Sequence, residues 1–591
     1  MKKLKLRSQE WFDNPNDPGL TALYLERYLN YGLKREDLQS GKPIIGIAQS
    51  GSDLSPCNRH FQSLSKTIKD GIVKAGGVPM EFPTHPIQET GKRPTAALDR
   101  NLSYLSLVEV LYGYPIDGVI LTTGCDKTTP AALMAAATVN IPSIVLSGGP
   151  MLDGNYKGKK AGSGTIIWEA RKLHAKGEIN YDEFMEMAAA SAPSVGHCNT
   201  MGTASSMNSI SEALGMSLPG GAIIPAPYKE RVDISFKTGE RIVEMVFENL
   251  TPSKIMTKEA FENAVYVASA IGASSNCPPH LTAIARHMGI DFNLSQWEKL
   301  GHDIPLLANC QPAGEHLMEG FFKAGGIPAI MQELIKIKKL NTEVLTVTGK
   351  TLEENLKIKI NVNRDIIKSY DDPLSHNAGF IIMKSNFFSS AVMKTSVISS
   401  EFRERYLLNK DNLNVFEVKA VVFEGPEDYH ARINDKNLEV DENSILIIRG
   451  CGPVGYPGSG EVVNMQPPDR LLKQGIDTLP TLGDGRQSGT SASPSILNVS
   501  PESAIGGDLL IIKTGDKMKI DLNINRIDLL ISDEELNKRK KNIKLPKFNN
   551  QTPWQEISRK MVGQLETGGC LETDTVFLDI TNTKGIPRHS H

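Results

Sequence analysis

The rhythm of apolar and polar positions changes about two-thirds of the way along the chain. Up to that point, solid apolar runs alternate with stretches in which apolar residues recur every three or four positions. "KPIIGIAQ" (42–49) reads as a buried strand, and a Gly/Ser/Asp/Pro loop follows it. The helical pattern "NRHFQSLSKTIKDGIVKAGG" then leads to a second strand-like run, "VPMEFPT". "IDGVILTT" (116–123) predicts a strand, "PAALMAAATVN" a helix with Pro130 in its first turn, and "IPSIVLSGG" a strand again. Solid strands separated by helices predict a parallel sheet flanked by helices on both faces. "NSISEALGMS" and "HLTAIARHMG" continue the helical series.

After about residue 376 the runs become short and β-branched, with Gly, Asp and Asn turns between them: "GFIIMKSN", "FEVKAVVFEG", "SILIIRGCG" and "DLLIIKTGDKMKIDLN". Such texture predicts a smaller β-rich, barrel-like domain over 377–591, following an α/β domain over 1–376. Residues 333–376 read as the connecting stretch. The final "ETDTVFLDITNTKGIPRHSH" is polar and reads as a tail free to fray.

A chain of 591 residues exceeds one ordinary hydrophobic core, which supports two or three domains. With 40% hydrophobic and 23% charged residues and a formal net charge of −3, it has the composition of a globular enzyme. Neither a basic field for nucleic acid nor an acidic tail is present. The opening "MKKLKLRSQEWFDN" carries positive charge without the apolar run of a signal peptide. No apolar segment approaches the roughly 20 residues that span a bilayer. The expected setting is the cytoplasm, with a small-molecule substrate and neither a membrane nor a nucleic-acid partner.

Seven cysteines stand at 57, 125, 198, 277, 310, 451 and 570, with no CxxC among them. The ordinary role of an isolated cysteine is that of a small buried hydrophobe. Cys57, Cys125 and Cys198 differ from the rest in position. Each lies in a loop that feeds a helix, and for Cys57 and Cys125 the loop directly follows a predicted strand. In parallel α/β sheets such loops converge on one crevice, and helix N-termini favour thiolates. Three thiolates there could hold an iron–sulfur cluster with one iron left open; four would close it. Their spacing matches no generic metal signature.

Asp126 and Lys127 follow Cys125 directly, at the mouth of a buried strand where an unpaired charge is costly. Glu89, in "HPIQETGKRPTAALDRN", and Glu461, in "GCGPVGYPGSGEVV", are further acids in loops; carboxylates of this kind suit a hard cation such as magnesium. Each alone also fits a solvated loop acid. "TLGDGRQSGTSASPSILNVSPESAIGGD" (481–508) carries Arg486 and Ser488 in a Gly/Ser-dense loop. It contains no GxSxG elbow and no local His or Asp that would make Ser488 a hydrolytic nucleophile.

Taken together, "GSDLSPCNRH", "HPIQETGKRPTAALDRNL", "TTGCDKTTPAALMAAATVNIPSIVLSGGPM", "GHCNTMGTASSMN", "GPVGYPGSGEV", "GDGRQSGTSASPSILNVSPE" and "IPRHSH" resemble the dihydroxy-acid and 6-phosphogluconate dehydratase superfamily. Within it, the chain is most similar to the pentonate branch of D-xylonate and L-arabinonate dehydratases. The resemblance covers nearly the whole chain. It implies an active site between an α/β and a β-rich domain, and a [2Fe–2S] cluster on Cys57, Cys125 and Cys198. It further implies magnesium on Glu89, Asp126, Glu461 and a carbamylated Lys127, with Ser488 as an alkoxide base. His591 would reach a neighbouring subunit's site in a homodimer or homotetramer. The implied reaction removes water across C2–C3 of a sugar acid to give a 2-keto-3-deoxy acid, with the cluster acting as a Lewis acid.

The branched-chain dihydroxy-acid dehydratases carry "ACGG" at the third cysteine, where this chain has His197, Asn199 and Thr200 around Cys198. Those polar side chains are expected to suit a polyhydroxylated substrate, D-xylonate first. A branched-chain dihydroxy-acid dehydratase is the alternative enzyme. An iron–sulfur redox or sensor protein is the alternative of another class, and would need a fourth ligand such as Cys451. A nucleotide-binding module finds no GxxxxGK[ST], and hydrolysis through Ser488 is a further rival.

Overall fold

A computed structural model of the chain describes residues 5–410 and 412–589. The alternating half builds a four-stranded sheet from β1 (Ile44–Gln49), β2 (Val78–Pro83), β3 (Gly118–Thr123) and β4 (Ser143–Ser147), in the order β2-β1-β3-β4. All three pairings are parallel. Every residue of β1, β3 and β4 is buried, so helices cover both faces, as unbroken apolar runs require. The helices Phe61–Lys74 and Lys229–Glu248 approach until their backbones touch: a Cβ on Gly71 would collide with the Phe236 carbonyl, and one on Gly239 with that of Ile68. A small antiparallel hairpin, β5 (Gly154–Tyr156) and β6 (Lys159–Ala161), follows the sheet.

The β-rich half forms an eight-stranded sheet from β7 (Phe380–Met383), β8 (Ser390–Lys394), β9 (Val415–Phe423), β10 (Ser444–Ile448), β11 (Thr481–Gly483), β12 (Ile496–Ser500), β13 (Lys517–Asp521) and β14 (Arg526–Leu529). The order is β14-β13-β9-β10-β11-β12-β8-β7. The four central strands run parallel, and the flanking pairs are antiparallel. The two ends of the sheet meet: the Lys384 amide donates to the Asn525 carbonyl at 2.9 Å and the Ile527 amide to the Lys384 carbonyl at 3.0 Å. Residues flanking β7 and within β14 thus bring the sheet to a near-closed barrel, which leaves little exposed edge.

Two expectations change. "DLLIIK" folds as a 3-10 turn, Asp508–Ile511, and only "KMKID" is a strand. Gly507 at the turn's start packs against the Pro501 and Glu502 carbonyls, which brings the chain round before the next strand begins. The stretch 333–376 is no loose connector either, because Leu340, Val347, Leu352, Leu356, Ile366 and Ile367 are buried in the core of the α/β half. Cys570 and Ile580, near the chain's end, join the same core, so the C-terminal segment returns across the molecule. No helix among the described residues is long and apolar enough to cross a membrane.

Lys394, at the end of β8, is buried at 2% exposure, and its Nζ has no hydrogen-bond partner. Burial lowers its pKa from 10.5 to about 8, opposed only by the Cys277 thiol. The folded-state value lies below the unfolded one, so the ammonium costs stability at low pH, and the cost fades between about 8 and 10.5. Lys394→Met is therefore expected to stabilise the protein by about 1–3 kcal/mol near neutral pH. The gain in melting temperature should shrink as the pH rises through that window; a lower melting temperature at neutral pH would contradict it.

Candidate active site

The loops after the C-terminal ends of the parallel strands converge on one crevice, as expected of such a sheet. The loop after β1 carries Cys57, that after β2 carries Glu89, and that after β3 carries Cys125, Asp126 and Lys127. Cys198 arrives from the turn that precedes the helix Thr203–Ala213. From the barrel come Glu461, between β10 and β11, and Ser488, between β11 and β12. Cys57, Cys125, Cys198, Glu89, Asp126, Glu461 and Ser488 all line a single cavity of about 1210 Å³. Lys127 lies against it, fully buried. His591 falls outside the described residues.

Polar side chains that the motif reading passed over hold the turn after β3. The Asn58 carboxamide accepts from the Cys125 amide at 2.9 Å and donates to Ser50 Oγ at 3.0 Å. Asn208 donates to the Gly124 carbonyl at 3.1 Å and accepts from Thr123 Oγ1 at 2.9 Å. Gly124 is required by proximity, since a Cβ there would collide with Asn58 Oδ1.

The thiols interact with one another and with local donors. Gln88 Nε2 donates to Cys57 Sγ at 3.2 Å, the Glu89 amide to Cys125 Sγ at 3.3 Å, and Ser163 Oγ to Cys198 Sγ at 3.4 Å. A hydrogen bond from the Cys125 thiol, helped by Gln88, pulls the Cys57 pKa down despite burial. The same bond, with burial, pushes Cys125 up, and burial pushes Cys198 up. Cys125 and Cys198 thus hold their protons firmly, and a shared metal centre would supply the positive charge that lets them ligate as thiolates.

Carboxylate oxygens of Glu89, Asp126 and Glu461 lie within 4.8 Å of one another. Two cations face them. Lys127 Nζ stands 3.0 Å from Glu89 and 3.7 Å from Asp126, yet makes no well-directed hydrogen bond. Arg486, 2% exposed, bonds Glu461 at 3.0 Å and Glu89 at 3.2 Å, with its Nε on the Ser459 carbonyl at 2.8 Å. Asn276 adds a donor to Glu461 at 2.9 Å. Three carboxylates against two cations leave one negative charge in excess. Burial and then repulsion from Glu89 raise Glu461 to about 7, and burial raises Asp126. Burial acts to raise Glu89 too, but Lys127 and Arg486 outweigh it and lower its pKa. A buried oxygen cluster of excess negative charge, with an orphaned Lys127 amine beside it, fits a hard divalent cation. Arg486 stands two residues from Ser488 in the sequence, yet nothing local in "GDGRQSG" says that it bridges two acids 397 and 25 residues away.

Residues 42–355 match the dihydroxy-acid/6-phosphogluconate dehydratase N-terminal family, and residues 365–569 its C-terminal counterpart. The chain belongs to the dihydroxy-acid/6-phosphogluconate dehydratase family. It is a dehydratase, a hydro-lyase, and aligns with the pentonate branch. The chain is 57% identical over 99% of its length to a D-xylonate dehydratase of Caulobacter vibrioides, covering 98% of that protein. An L-arabinonate dehydratase of Rhizobium leguminosarum is 43% identical over 90% of both chains. A dihydroxy-acid dehydratase of Caldanaerobacter subterraneus is 37% identical over 88% of this chain and 92% of its own.

Two readings of individual residues in this dehydratase need correction. His197, Asn199 and Thr200 do not line the cavity. His197 is buried with Nδ1 on the Cys198 carbonyl at 3.1 Å, and Asn199 and Thr200 bond backbone atoms of Leu152 and Ser163. Their polarity satisfies buried backbone around Cys198 rather than facing a substrate. Cys451, the candidate fourth thiol, packs in the barrel core with Sγ 3.6 Å from the Arg449 carbonyl. Cys277, Cys310 and Cys570 are buried in the core of the α/β half.

Arg486→Met would leave Glu89 and Glu461 buried without their shared partner. The expected cost is about 3 kcal/mol, read as a lower melting temperature; an unchanged transition would show that the two ion pairs contribute nothing net.

Proposed function

We propose that this dehydratase removes water across C2–C3 of an aldonic acid, D-xylonate foremost and L-arabinonate or related aldonates with it, to give a 2-keto-3-deoxy acid. The observation that carries the reading is the meeting of three thiols, three carboxylates and Ser488 in one cavity of a chain so similar to a D-xylonate dehydratase. The substrate assignment rests on the relatives, since His197, Asn199 and Thr200 point elsewhere.

In this reading Cys57, Cys125 and Cys198 would hold a [2Fe–2S] cluster, and Glu89, Asp126, Glu461 and Lys127, as its carbamate, would hold magnesium. When bound, these groups supply Lewis acidity, the cluster to the leaving C3 hydroxyl and the cation to the substrate carboxylate and C2 hydroxyl. Ser488 takes the C2 proton as its alkoxide. Arg486 bridges Glu89 and Glu461 and so holds both acids at the cavity wall. We place the functional boundary between the domains near residue 376. We further propose that the protein works in the cytoplasm as a homodimer or homotetramer, and that His591 reaches a neighbouring subunit's site.

Anaerobically purified protein should convert D-xylonate to a product trapped as a 2-keto acid, and a branched-chain dihydroxy acid far more slowly; the reverse preference would move the assignment to the dihydroxy-acid dehydratases. Ser488→Ala should fold and bind both metals yet lose at least ~100-fold in kcat. Each of Cys57→Ser, Cys125→Ser and Cys198→Ser should lose the brown colour of a cluster, whereas Cys451→Ser should keep it. Colour retained in the first three, or lost in the last, would favour a different ligand set and the redox reading.

A further inference from the structure

Ser488 Oγ lies 2.9 Å from Thr490 Oγ1 and accepts from the Thr490 amide at 3.4 Å. Thr490 Oγ1 in turn accepts from the indole Nε1 of Trp168 at 3.1 Å. Trp168 comes from the other half of the molecule, on the helix Thr165–Lys176. Its ring lines the same cavity, and the Arg171 guanidinium covers its face 4.6 Å from the centroid. No acid pairs with Arg171 among the described residues, so the cation is spent on the ring.

The approach of that helix is built into the backbone. Gly164, its N-cap, has φ +80°, and a Cβ there would collide with Thr490 Oγ1. The neighbouring Ser163 Oγ donates to Cys198 Sγ at 3.4 Å. One short segment, 163–168, therefore touches both a thiol of the cavity and the hydroxyl that stands beside Ser488.

An indole N–H can only donate. Thr490 Oγ1 must accept from it, and its own proton remains to be given to the next oxygen, Ser488 Oγ. A hydroxyl that already accepts is also the stronger donor. With the Thr490 amide, Ser488 Oγ then faces two donors, and its own proton is left to point into the cavity. Donors aimed at an oxygen favour its anionic form.

We propose that Trp168 is a positioning residue for the base: across the domain boundary it orients Thr490 so that the Thr490 hydroxyl donates to Ser488 Oγ and steadies the alkoxide. This rests on Ser488 being the base, as proposed above. Trp168 thereby couples the docking of the helix Thr165–Lys176 onto the barrel to the readiness of Ser488.

Trp168→Phe keeps an aromatic ring and removes the N–H. Steady-state assays with D-xylonate on the metal-loaded enzyme should show kcat lower by ~10- to 100-fold, the worth of one hydrogen bond to a charged group. KM should change little. The acidic limb of the pH–rate profile should move to higher pH, because the alkoxide has lost support. Thr490→Ser, which keeps the hydroxyl, should stay close to wild type. In a Thr490→Val background, adding Trp168→Phe should cost nothing further. A Trp168→Phe enzyme with unchanged kcat and pH profile, one altered in KM alone, or full additivity with Thr490→Val would overturn the inference. Activity surviving Ser488→Ala would instead remove the base itself, so the two failures are distinct.

Discussion

Arg486 is the point on which the two halves of the shared cavity depend. Its guanidinium is buried and rigidly planar, and it meets Glu461 of its own domain and Glu89 of the other at hydrogen-bond distance. Without a cation between them, two buried carboxylates this close would repel, protonate or turn away. Arg486 therefore does more than pair charges. It sets where the loop after β2 may stop relative to the barrel, and so fixes the wall on which Asp126, Lys127 and the thiols stand. The backbone supports it: the Arg486 amide donates to the Gly460 carbonyl at 2.8 Å, and its carbonyl accepts from the Val463 amide at 3.1 Å. Glu461 and Arg486 are thus locked side by side before either reaches across.

Other contacts repeat this arrangement, in which a loop of one half is held by a polar group of the other. Asn276, just before the helix Cys277–His287, gives its amide to Glu461 and to the Gln487 carbonyl. Trp168 reaches Thr490. Gly489 packs so tightly that a Cβ would meet Ser274 Oγ and the Thr203 amide at 2.6 Å. The two buried acids Asp484 and Glu502 have a different task. They accept backbone amides of Gly450, Cys451, Val454 and Gly455, and so hold the glycine-rich loop that delivers Glu461. These acids look catalytic by burial alone, yet every oxygen is committed to the backbone.

The strands of the parallel sheet and the helices between them were readable because each is a solid or periodic apolar run, and that pattern survives any packing. The polar stretches were harder to read. "GHCNTMG" reads as substrate-facing because it is polar and stands beside a cysteine, but a buried loop must first satisfy its own amides and carbonyls. Asn199 and Thr200 are used up in doing so, and His197 turns its Nδ1 to the Cys198 carbonyl. "DLLIIK" misled in the opposite direction, since four apolar residues in a row suit a buried 3-10 turn as well as a strand.

By itself the sequence determined which segments would be strands or helices and which loops carry reactive side chains, because local periodicity and loop position follow from nearest neighbours along the chain. Its long motifs also determined the family. Only the tertiary structure decided which thiols and acids share a cavity and which cysteines are mere packing. It alone placed Arg486, Asn276 and Trp168 beside the reactive groups. The contacts that cross between the halves join residues 185 to 397 positions apart, and a hydrogen bond between them has no counterpart in the order of residues until the fold closes the distance.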